Sequence, residues 1–150
     1  MFFKYSFTHE SGYSPERLKE SFSDSKFECW EFKYKYKELG ENSIVLKPHP
    51  KSVFYSSTFG LNIYANFAPT ADGTLCKFLL KPPKSQIVVE IIIYLVLMFL
   101  QILSLYFCIK DGNLSLETFI PLLIFLFAES LDVIYYIYAR AIKRKLLEVI

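Results

Sequence analysis

Residues 87–109 read IVVEIIIYLVLMFLQILSLYFCI, and no other feature of the chain limits its fold as tightly. A helix needs about 20 predominantly apolar residues to cross the hydrocarbon core of a bilayer. This run is long enough, and its one carboxylate, Glu90, lies near its start. A second run, TFIPLLIFLFAESLDVIYYIYA, occupies 118–139 and closes on Arg140. The connector over 110–117, KDGNLSLE, is short enough that two helices flanking it must pack antiparallel. With 53% hydrophobic and 18% aromatic residues, the 150-residue chain is too apolar for an ordinary globular protein, and the two runs hold the excess. The expected organisation is a domain over 1–83, membrane helices at 87–109 and 118–140, an extracytoplasmic connector at 110–117 and a basic cytoplasmic tail at 141–150.

Charge sets the expected orientation. Lys77, Lys81 and Lys84 precede the first run, and Arg140, Lys143, Arg144 and Lys145 follow the second. The connector holds one Lys against Asp111 and Glu117. Basic residues accumulate on the cytoplasmic side, so both termini are predicted inside. The N-terminus, MFFKYSFTHESGY, lacks the basic and apolar regions of a cleavable signal, which agrees with a cytoplasmic domain. Before residue 87 there are 12 Lys/Arg against 9 Asp/Glu, too small an excess to argue for nucleic acid as a partner.

The first 83 residues predict an α+β domain: a strand, a short helix and an antiparallel meander. FFKYSF at 2–7 reads as a strand and THESG as a turn. In YSPERLKESFS, Ser14 suits an N-cap, Pro15 the first helical position and Glu16 the positive end of the helix, with Leu18 and Phe22 on one face. In WEFKYKYKE the period becomes two: Trp30, Phe32, Tyr34 and Tyr36 alternate with Glu31, Lys33, Lys35 and Lys37. SIVLKP, VFYSS, GLNIYANFAP and LCKFLLK continue as strands, with Asp72 and Gly73 marking a hairpin turn. KPPKS ends the sheet, since two prolines cannot donate to a ladder.

The runs NSIVLKP, FGLNIYANF and DGTLCKFLL, the apolar span that follows at once, and the closing YYIYARAIKRKLLEVI resemble a broad group of small bacterial membrane proteins. In that group a strand-rich cytoplasmic domain precedes a two-helix transmembrane hairpin. The resemblance implies a bacterial inner membrane and this layout. It implies no activity.

Glu129 and Asp132 lie inside the second run, where an acidic residue at mid-bilayer costs roughly 2.5 to 3.5 kcal/mol on insertion scales. Their spacing of three puts them on one helical face with Tyr136 and Arg140, while the first run has a stripe through Glu90, Tyr94, Leu97, Gln101, Ser104 and Cys108. Pairing position 87 with about 140 at equal depth brings Glu129 close to Met98 and one turn from Gln101. Three readings of this polar seam stay open: a hydrogen bond across the hairpin, an interface completed by a homo-oligomer or another membrane protein, and an oligomeric pathway for protons or cations. Neither run contains an internal Lys or Arg.

Lys33, Lys35 and Lys37, together with Lys84, Arg140, Lys143, Arg144 and Lys145, are candidates for contact with anionic lipid. The strand lysines equally suit a solvated face that discourages edge-to-edge pairing. No catalytic, metal or cofactor motif is legible: His9 and His49 have no Cys or acidic neighbour at ligand spacing. Cys29, Cys76 and Cys108 lack CxxC spacing and read as reduced packing residues. The expected function is therefore that of a non-enzymatic accessory subunit tethering a small domain to the lipid bilayer.

Overall fold

The computed structural model describes residues 3–24, 26–51, 60–111 and 119–150. Its elements run β1 (Tyr5–Ser11), α1 (Pro15–Asp24), β2 (Glu28–Cys29), β3 (Phe32–Gly40), β4 (Ser43–Pro50), β5 (Asn62–Thr70), β6 (Gly73–Lys81), α2 (Lys84–Asp111) and α3 (Ile120–Val149). The described strands form one antiparallel sheet in the order β1-β6-β5-β4-β3-β2. An α+β domain is present. β1 and β2 hold opposite edges, so α1, which joins them, has to cross the sheet.

α1 starts where its sequence dictates. The Ser14 hydroxyl accepts from the Arg17 backbone N–H at 3.4 Å, and Glu16 lies in the first turn. Leu18 and Phe22 are fully buried, with the Phe22 ring 6.1 Å from Phe67 and 6.3 Å from Phe78. Burying each such side chain is worth roughly 1.5 to 3 kcal/mol. The same face of the sheet supplies Tyr34, Ile44, Leu46, Ile63, Ala65 and Leu80 to one core cluster.

Two boundaries differ from the sequence reading. β1 continues through Thr8–Ser11, taking in residues expected to turn, because His9 and Glu10 find partners opposite Cys76 and Leu75 on β6. Trp30 belongs to the turn between β2 and β3 rather than to the strand, with φ 52° and half its surface exposed. A left-handed backbone costs a non-glycine residue roughly 1 to 2 kcal/mol. The indole regains part of that by packing 4.6 Å from the ring of Tyr138. The expected strand VFYSS falls outside the described residues.

The larger correction concerns 141–150, read as a basic tail. α3 runs unbroken to Val149, and its Tyr138, Ala139, Ile142 and Leu146 are buried in the domain core. The apolar positions at 138/139, 142 and 146 form a helical stripe under the sheet. Pro82 and Pro83 separate β6 from α2, so the sheet hands the chain directly to the first apolar helix. Within α2, Lys84–Lys110 is long and apolar enough to cross a membrane by length and composition, and the rest of the chain covers little of it.

Candidate functional site

The ends of the strands define one rim of the domain. β6 ends at Lys81, β5 begins at Asn62, β4 ends at Pro50 and β3 begins at Phe32, and from this rim α2 departs. α3 reaches the same rim around Tyr135. There Gln86, almost fully buried, donates through Nε2 to the Tyr135 hydroxyl and to Glu90 Oε1, the latter at 3.0 Å. Phe3 caps this junction with its ring 5.6 Å from that of Tyr135. Glu90 and Asp132 both lie within electrostatic reach of the Tyr135 hydroxyl.

This junction resets the helix register. Gln86 meets Tyr135, and farther along Gln101 shares a cleft with Pro121 and Leu122. Equal depth therefore pairs position 86 with 135, where the sequence reading placed about 141. The backbone of Glu129 is then level with about residue 92, roughly two and a half turns from Gln101. The cause is the continuation of α3 into the core, which fixes its depth by Tyr138 and Ile142 rather than by Arg140. The side chain of Glu129 lies outside the described residues.

Of the expected seam residues, Asp132, Gln101, Ser104 and Tyr136 have described side chains. Asp132 is half-buried beside the junction. Gln101 and Ser104 are half-buried farther along α2, with Gln101 in a cleft walled by Tyr94, Leu97 and Met98. Tyr136 is exposed, its ring 5.9 Å from Tyr5 and 5.8 Å from the Arg140 guanidinium.

The basic residues of α3 lie along the domain. Lys143 Nζ is 5.1 Å from the Phe7 ring centroid, Lys145 Nζ donates to the Glu28 carbonyl at 2.8 Å, and Arg144 is exposed. Glu28 also pairs with Lys51 at 2.7 Å and with Lys33 at 3.6 Å, and these lysines hold its carboxyl below the usual range. Lys35 and Lys37 are exposed on the outer face of β3.

That outer face carries more charge than β3 alone. Strand alternation turns Lys47 of β4 and Lys77 and Lys81 of β6 to the same side, away from core residues Leu46, Phe78 and Leu80. Lys35 stands directly opposite Lys47. Like charges in that position disfavour the pairing by a few tenths of a kcal/mol up to about 1 kcal/mol. Near the rim, Lys47, Lys81 and Lys84 line one cleft of about 570 Å³ with Asn62, Tyr64 and Ile87. The Lys81 ammonium sits 4.5 Å from the Tyr64 ring centroid.

Lys47 and Lys81 were missed because the sequence reading weighed each strand alone. The signal was present: once the meander is laid out, lysines at alternate positions of neighbouring strands fall on one face. His9 and His49 lie on β1 and β4, opposite Cys76 and Lys33. Among the described residues, no group of three or more His, Cys, Asp or Glu side chains is placed to hold a metal ion. Burial raises the thiols of Cys29 and Cys76.

No protein-family model matches the sequence, and no curated protein matches it.

Proposed function

We propose that this protein is a non-enzymatic accessory subunit of a bacterial inner membrane, holding a small α+β domain against the cytoplasmic surface by a two-helix transmembrane hairpin. The observation that carries the reading is the continuity of α3. One helix bears the second apolar run and, from Tyr135 onward, packs into the domain core. Gln86 on α2 is bonded to the same helix at Tyr135. A domain joined this way has no flexible tether, so a displacement of the membrane helices is transmitted to the sheet. Large side chains such as Ile92, Met98, Phe99 and Ile102 are more than half exposed, as suits a lipid-facing helix. The lysines on either side of the two runs favour termini on the cytoplasmic side.

In this reading Asp132 and Glu129 specify a partner helix, either a second copy or another membrane protein. Native mass spectrometry of gently extracted protein tests it. Wild type is expected in a defined complex that Glu129→Leu combined with Asp132→Leu disrupts. The same monomer in both samples would reject the assembly role.

A further inference from the structure

We propose that the cleft beside the first turn of α2 binds the phosphate of an anionic lipid headgroup. Its three ammonium groups come from separate elements, Lys47 from β4, Lys81 from the end of β6 and Lys84 from the start of α2. No carboxylate lines the cleft among the described residues, so its positive field is not neutralised from within. Lys35, opposite Lys47, adds to that field from the neighbouring strand. The start of α2 contributes the positive end of a helix dipole. Asn62 and Tyr64 supply neutral donors for phosphate oxygens. Pro82 and Pro83 wall the cleft and limit how far Lys81 and Lys84 can move apart.

The cleft also says which phosphate. Ile87 forms part of its wall, and α2 continues beyond it into the exposed Val88, Ile91 and Ile92. A ligand seated on the lysines therefore has an apolar surface running away from its charged end. A free phosphate would leave that surface unused, whereas a lipid places its tails along it. The inference rests on the membrane-anchored reading, which sets the rim at headgroup depth.

The test uses the full chain in nanodiscs of mixed phosphatidylcholine and phosphatidylglycerol, with retained lipid read by native mass spectrometry. Wild type is expected to keep phosphatidylglycerol in excess of its share of the bilayer. Replacing Lys47, Lys81 and Lys84 together by Ala is expected to lower that enrichment at least about tenfold, given about fivefold per lysine near an anionic surface. Lys77→Ala, on the same face but outside the cleft, is expected to leave it unchanged. Retention in the bulk ratio by wild type, or equal retention by the cleft variant, would overturn the proposal. So would displacement of the lipid by inorganic phosphate at millimolar concentration, which would identify a soluble phosphate as the ligand. Alkaline carbonate washing of native membranes separates the two readings. A chain that washes off rejects the anchored reading and the lipid route with it, whereas a retained chain without phosphatidylglycerol preference rejects the cleft alone.

Discussion

The hydroxyls of Tyr34 and Tyr138 meet at 2.7 Å in the buried core, joining residues 104 positions apart. One is the third residue of β3, the other belongs to the part of α3 that enters the domain. Burial, reinforced by the neighbouring Tyr138 hydroxyl, pushes the Tyr34 phenol well above its ordinary value, so it stays protonated and able to donate. Removing either hydroxyl strands the other in an apolar site. Tyr34→Phe and Tyr138→Phe are each expected to cost about 1 to 3 kcal/mol, and the double variant less than their sum. A double-mutant cycle on thermal unfolding in detergent measures this; strict additivity would show that the pair does not interact.

Ile142 and Leu146 give the second prediction. Both are fully buried, whereas Arg144 between them is exposed. Ile142→Ala and Leu146→Ala should each destabilise the domain by about 2 to 5 kcal/mol, and Arg144→Ala by less than about 0.5 kcal/mol. Limited proteolysis of the domain across the three variants separates a core helix from a free tail, for which all three would digest alike.

These residues also explain what was legible beforehand. Period-two alternation in β3 and the caps of α1 are local signals, and both survive in the structure because the sheet buries the faces they mark. The end of α3 was misread because ARAIKRKLLEV contains both a basic cluster and an apolar stripe. Which one governs depends on whether a sheet lies alongside, and that is a tertiary fact. The register of α2 against α3 was lost for the same reason: equal-depth pairing assumed that both helices stop at the bilayer surface. The cleft was recoverable only after strand order was known, since Lys47 and Lys81 lie 34 positions apart in the chain.

Alkaline pH should weaken the domain through Cys76. Its burial raises the thiol from 9.0 to about 11, because the folded core disfavours the thiolate. The contribution is fully present below pH 9.0 and is lost as pH rises toward 11. Burial shifts Cys29 the same way. Stability measured across this range should fall with pH, and Cys76→Ala should make the fall shallower even though it lowers stability at neutral pH. A parallel pH dependence in wild type and variant would exclude this thiol as a cause.

Gly73 opens β6 with φ +150°, directly after the two-residue turn at Ala71 and Asp72. A Cβ added there would run into the backbone carbonyl of Ser11 at the end of β1. Both the dihedral and the close approach require glycine. Gly73→Ala should destabilise the β1–β6 pairing by more than 1 kcal/mol, roughly the upper end of an ordinary glycine effect. Amide exchange along Tyr5–Ser11 should rise in this variant, while Gly12→Ala, whose Cβ meets nothing within 4 Å, should leave it unchanged.

The last prediction concerns the joint between the helices. Gln86 is 6% exposed, and its Oε1 is buried without a hydrogen-bond partner among the described residues, so its attachment rests on Nε2, shared by Tyr135 and Glu90. Tyr135→Phe keeps the ring against Phe3 and removes only the hydroxyl that Gln86 reaches. The domain core, centred on Ile142 and Phe78, should stay intact, while amide exchange rises at the start of α2 and around Tyr135 on α3. Gln86→Leu should produce the same local pattern with less cost, because it removes a buried polar group along with its bond. If both variants exchange like wild type at these positions, the helices are coupled by apolar packing alone. If instead exchange rises throughout the sheet, the joint supports the whole fold, and transmission between membrane helices and domain would have to run through the core stripe of α3.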